Sequence, residues 1–139
     1  MSTRTFVFGL LTATGTPLHT LVGDRVFAKK AMKSSVEEHP FLVYKMGNET
    51  WEELSEVSLA SRQFFQVWVH DFSDQAVADY MLIDEVIRAV KEQLVNASSA
   101  EDGVITIRFL ETSQDLNDET LNTVMKYVRF QAILGEGCP

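Results

Sequence analysis

Three histidines, His19, His39 and His70, and one cysteine, Cys138, are the side chains here best suited to metal binding or nucleophilic chemistry, and they stand far apart in the chain. No spacing of His, Cys, Asp and Glu resembles a metal-ligand motif, because a site of that kind needs several donors brought together by one turn or one helix face. His70-Asp71 is a contiguous pair at the end of a strand-like run. It has the chemistry for half of an acid/base or metal site, and equally reads as a strand end followed by a helix cap. Gly9, Gly15 and Gly23 do not form a phosphate-cradling loop, and there is no nucleophile-elbow sequence. Tyr44 and Trp68 offer aromatic surface for a ligand, although aromatics on strands mostly serve the core. These residues specify no reaction, no cofactor and no metal, and a binding or structural role is the stronger reading.

Composition narrows the classes further. The 139 residues are 45% hydrophobic and 23% charged, enough for one compact domain over 1–139 with a real core and too few for two. A single cysteine, next to last, cannot form an internal disulfide. Twelve basic against twenty acidic residues give a net charge of −8, which opposes general binding to nucleic acid through phosphate neutralisation. The apolar stretch Phe6–Leu11 is far shorter than the roughly twenty residues of a membrane span and makes a poor signal sequence. Its apolar positions Phe6, Val7, Leu10 and Leu11 share one helix face. Asn48-Glu49-Thr50 and Asn96-Ala97-Ser98 match the glycosylation triplet, a pattern frequent by chance.

The elements that would position these groups follow from periodicity. The first amphipathic helix is expected to end at Gly15 and Pro17, with Gly23-Asp24 turning into a short strand at Arg25–Ala28 and a polar loop over Lys29–Glu38. His39-Pro40 leads into a strand over Phe41–Met46, ended by Gly47-Asn48. Arg62–His70 alternates, with Phe65, Val67 and Val69 on one face and Phe64, Gln66, Trp68 and His70 on the other. Asp71 or Ser73 can cap a helix over 74–95, where Ala76, Tyr80, Ile83, Ile87, Val90 and Leu94 recur at spacings of four and three. Strands over Val104–Leu110 and Val124–Leu134 close the chain, and the tail from Gly135 to Pro139 is expected to be loose. The expected order is α-β-β-β-α-β-β. It describes an α+β domain with an antiparallel or mixed sheet, the helices on one face and extended inter-strand loops.

Two of those connections are unusually long. Gly47–Ala60 carries Glu49, Glu52, Glu53 and Glu56, without a basic residue, beside Trp51, Leu54 and Val57. Glu111–Thr123 carries Glu111, Asp115, Asp118 and Glu119. Each is either a solvated hairpin extension or an arm that docks. The tryptophan favours docking for the first, since an exposed indole leaves a large apolar ring in water. Residues 1–36 hold Arg4, Arg25, Lys29, Lys30 and Lys33 against Asp24, a balance of +4 that leaves −12 for the remainder. A basic segment and acidic arms on one molecule suit head-to-tail association between copies. Candidate assembly residues are therefore Trp51, Glu52, Glu53, Leu54 and Glu56 on the arm, and Arg25, Lys29, Lys30 and Lys33 on the basic segment.

Taken together, Gly23–Phe27, Pro40–Tyr44, Arg62–His70 leading into a long helix, and the closing strand resemble the tail-terminator or tail-completion proteins of long-tailed bacteriophages over Leu21–Leu134. The resemblance rests on strand order and preferred residues, and the two acidic segments depart from the usual pattern. It implies a non-enzymatic virion protein at the head-proximal end of the tail, assembled in the host cytoplasm into a ring, with a hexamer as the expected order. The implied partners are further copies of itself, the tail tube protein and the head-tail connector, with DNA passing through the lumen unbound and no membrane contact. The alternatives are another neck component, or a small ligand-binding or hydrolytic domain with a pocket near His70, Asp71 and Tyr44.

Overall fold

The structure, a computed structural model, describes residues 3–28, 41–53, 59–72, 80–101, 103–118 and 123–135. The described elements are α1 (Thr3–Leu11), α2 (Pro17–Val22), β1 (Val26–Ala28), β2 (Phe41–Glu53), β3 (Leu59–Phe72), α3 (Tyr80–Leu94), β4 (Val104–Thr112), β5 (Leu116–Asp118) and β6 (Thr123–Gly135). The strands form one mixed sheet in the order β1-β2-β3-β6-β4, with β5 paired to β6 beyond β4. Only β1 runs parallel to its neighbour; the remaining pairings are antiparallel. This is the α+β arrangement expected from the sequence.

The core forms where the sheet's alternation meets the helices' three-four spacing. Leu42 and Tyr44 of β2, Phe65, Val67 and Val69 of β3, and Val128, Phe130 and Ala132 of β6 line one face. Val7 and Leu11 of α1, Leu18 and Val22 of α2, and Ile83, Val86, Ile87, Val90 and Leu94 of α3 pack onto it. Phe65 and Phe130, both almost fully buried, stack at 5.3 Å across the two central strands. The helices thus cover one face, and the other remains open over much of its area.

Several boundaries differ from the sequence reading for identifiable reasons. Gly15 and Pro17 do not simply break the chain, because Thr16 caps a second helix, its hydroxyl accepting from the His19 N–H at 3.1 Å, with Pro17 in the first turn. Gly47 does not end β2 but lies at a bulge between Met46 and Glu49, after which pairing with β3 continues to Glu53 opposite Leu59. Much of the expected loop 47–60 is therefore hairpin, and 54–58 lie outside the described residues. Strand also enters the second connection, as the end of β4 and as β5. Asp71 belongs to β3, opposite Val124, and α3 is described from Tyr80, so the expected cap at Ser73 and first turns lie outside the described residues. Gly135 is not part of a loose tail, since its N–H donates to the Gly103 carbonyl at 2.9 Å; residues 136–139 lie outside the described residues.

Candidate functional site

The reactive side chains do not converge. His70 is buried and stacks on Phe41 at 4.7 Å with the rings nearly parallel, while His19 meets Asp24 at 3.1 Å on the surface. His39 lies outside the described residues. Tyr44 lies opposite Val67 on the helix-covered face, and Trp68 lies opposite Val43 on the other, so the two cannot form one ligand platform. For the same reason His70 and Asp71, adjacent in one strand, belong to opposite faces. Among the described residues no group of three or more His, Cys, Asp or Glu could hold a metal ion.

The candidate assembly residues are partly visible. Trp51, Glu52 and Glu53 occupy β2 positions paired with Ser61, Ala60 and Leu59, while Leu54, Glu56, Lys29, Lys30 and Lys33 lie outside the described residues. Arg25 precedes β1, and its guanidinium donates to the Leu21 carbonyl at 3.3 Å, near the C-terminal end of α2, where a cation is favoured. Its backbone carbonyl accepts from the Leu42 N–H at 2.9 Å and seats the start of β2.

Strand pairing gathers a different set of charges that the sequence does not place together. On the open face one row runs Lys45, Gln66, Arg129, Glu111 across β2, β3, β6 and β4. The next rows hold Trp68 and Tyr127 on one side, with ring centroids 4.7 Å apart, and Phe64, Gln131 and Arg108 on the other. Lys45 Nζ lies 5.2 Å from the Trp68 ring centre, and Arg129 approaches Glu111 at 3.7 Å. Arg62 shares this face by register. Where the bulge parts β2 from β3, a cleft of about 350 Å³ opens between Lys45, Gly47, Phe64, Gln66 and Arg129. Gln63 stitches the bulge, its amide donating to the Gly47 carbonyl at 2.8 Å and the Phe64 carbonyl at 3.0 Å. A Cβ on Gly47 would come within 3.2 Å of that same Phe64 carbonyl, so glycine suits the bulge's close approach.

The helix-covered side has the opposite character. Asp84, Glu85 and Glu92 of α3 are exposed, together with Arg88, and Met81 beside them is 83% exposed. Lys126, three residues before Arg129 but on the helix side of β6, reaches Asp84 at 2.8 Å and Asp115 at 3.7 Å. The hydrogen bond to Asp84, with the charges of Asp84 and Asp115, raises the Lys126 ammonium above its ordinary 10.5 although burial acts against it. This pair ties α3 to β6.

The sheet's two outer edges are unevenly covered. β1 pairs with only three β2 residues, Leu42, Val43 and Tyr44, and the rest of that β2 edge has no strand partner among the described residues. On β4 the α3–β4 connection covers the first half, with the Asn96 N–H donating to the Ile107 carbonyl at 2.9 Å and Ser99 bridging Val104. Phe109 and Leu110, in the uncovered half, are 38% and 40% exposed. Open strand edges and half-buried aromatic rows suit protein contacts better than catalysis.

No protein-family model matches the chain, and no curated protein sequence does. A solved structure does: a chain of the virion of a native gene transfer agent particle superposes with a TM-score of 0.71 at 18% sequence identity, covering 97% of this chain and 96% of that one. At that identity the likeness establishes the fold. The alignment takes in nearly the whole of both chains.

Proposed function

We propose that this protein is a structural subunit of a phage-like particle, a tail terminator that forms a ring on the head-proximal end of the tail tube and joins it to the head connector. The observation that carries the reading is the fold likeness, nearly end to end, with a chain of the gene transfer agent virion. The strand order and residue preferences that resemble tail-terminator proteins point the same way. So does a surface organised for contact: open strand edges, an aromatic and basic sheet face, and an acidic helix side. A ring of acidic subunits, each carrying −8, would repel DNA along its lumen and let it slide. The hairpin end that includes Trp51, Glu52 and Glu53 is the part of the chain we assign to the neighbouring subunit or tube, and the Arg25–Lys33 segment is a second contact. Native mass measurement of the full-length protein, alone and with purified tail tubes, tests the reading. A closed ring that caps one tube end supports it. A species that binds only the head connector makes the chain a different neck component, and a monomer that never joins tube or connector overturns a tail role.

A further inference from the structure

The two sides of the sheet differ in charge, and the difference comes from strand register. On the open face Lys45 and Arg108 are exposed, Arg129 is half-buried beside Glu111, and Phe64, Trp68 and Tyr127 present partly covered rings. On the helix side α3 exposes Asp84, Glu85 and Glu92 around the apolar tip of Met81. An open groove of about 620 Å³ runs there between Met81, Leu82, Asp84, Glu85 and Arg88. Within one molecule these surfaces cannot meet, because the sheet and the core lie between them.

We propose that the basic, aromatic open face of one copy receives the acidic outer side of α3 from the next copy, and that this front-to-back contact is the repeating interface of the ring. The proposal deepens the ring reading and rests on it. Three features of the surfaces select a second copy as the occupant. The signs are complementary. Each side combines a few charges with apolar surface, Trp68 and Tyr127 on one and Met81 on the other, the composition of a protein contact. A long polyanion such as DNA would meet the repulsion of a molecule carrying −8, whereas the α3 side brings only a few carboxylates. Because the contact joins two different surfaces, it is heterologous and generates a closed ring or an open helix according to its rotation.

A charge-swap experiment on the full chain tests this. The front variant carries Lys45→Glu and Arg108→Glu, and the back variant carries Glu85→Lys and Glu92→Lys; none of these residues belongs to the ion pairs that hold Lys126 or Arg129. Sedimentation velocity across protein concentration should show the wild type associating, and each variant alone associating at least about tenfold more weakly because like charges now face each other. An equimolar mixture should associate again, since each variant's altered surface meets the other's unaltered or oppositely altered one. Circular dichroism melts matching the wild type confirm that both variants fold. If the variants associate as the wild type does, this interface is wrong while the ring reading survives on its own tube-capping test. If the mixture stays dissociated, the pairing of front with back is wrong. If the wild type is monomeric at every concentration, or if it retards a labelled DNA duplex and the front variant does not, the face does not serve a second copy and the proposal falls.

Discussion

Every assignment of a residue to the front or the back of the sheet depends on the register of β6, so replacing Phe130 and Arg129 separately puts that register to direct test. Phe130 is fully buried between Phe65, stacked at 5.3 Å, and Phe109, edge-on at 6.3 Å. Truncating a buried phenylalanine to alanine costs about 3–5 kcal/mol, and losing the stacked partner places Phe130→Ala in the upper part of that range, about 4 kcal/mol. Arg129 is 39% exposed and its contact with Glu111 is 3.7 Å long, so Arg129→Ala should cost no more than about 1 kcal/mol. For a domain of this size one kcal/mol moves the melting temperature by about 3–5 °C, which separates the variants by roughly 10–15 °C. Thermal and urea melts followed by circular dichroism read both numbers. A one-residue slip of β6 would exchange the faces, sending Arg129 into the core and Phe130 outward. A mild Phe130→Ala and a severe Arg129→Ala would therefore refute the register and every charge assignment built on it.

Three further outcomes follow from local geometry. Lys126→Met should lower stability near neutral pH by about 1 kcal/mol and flatten the alkaline limb. Because the ammonium is raised above 10.5 in the folded protein, its contribution is complete below that value and is lost as pH rises through the folded pKa; an unchanged alkaline limb in Lys126→Met would assign that loss to other groups. Thr16→Ala removes the α2 cap and should cost about 1 kcal/mol in a urea melt, whereas Thr16→Ser should cost little; equal losses would mean the hydroxyl does not cap. Gly23, with φ of 59°, ends α2 in a conformation that side chains resist, so Gly23→Ala should destabilise by about 1–2 kcal/mol in the same melt, and a neutral result would place α2's end elsewhere.

What could be read from the sequence was periodic, and what could not was decided by single residues or by register. The two faces of β3 and β6 and the buried stripe of α3 appear in the sequence because alternation and three-four spacing are properties of a single segment. A glycine or proline has no such redundancy. Gly47 reads as a strand end when it is a bulge, and Gly15 with Pro17 reads as a break when Thr16-Pro17 opens a helix. The charged surface was less accessible still. Lys45, Arg108 and Arg129 come together only through the pairing of β2, β3, β6 and β4, while Lys126, close to Arg129 in sequence, faces the other way. Dividing the charge at residue 36 therefore separates basic from acidic chain but not the basic from the acidic side of the folded molecule.

Polarity across the sheet also bears on which symmetry the copies can adopt. A two-fold dimer joins a surface to itself, so a dimer through the open face would set Lys45 and Arg108 of one copy near those of the other, and one through α3 would oppose Glu85 and Glu92 with themselves. Both arrangements place like charges together and are disfavoured, most strongly at low salt where screening is weak. A front-to-back contact opposes unlike charges at every repeat and leaves no interface unsatisfied once the ring closes. The same reasoning explains how a chain with net charge of −8 can associate with itself at all: the repulsion of the whole molecule acts at long range and is screened, while the contacting patches are of opposite sign at short range, where screening is least. Raising ionic strength should thus weaken the front-to-back contact, and self-association that strengthens monotonically with salt would point to an apolar interface, with Phe109 and Leu110 at the uncovered edge of β4 as the place to look.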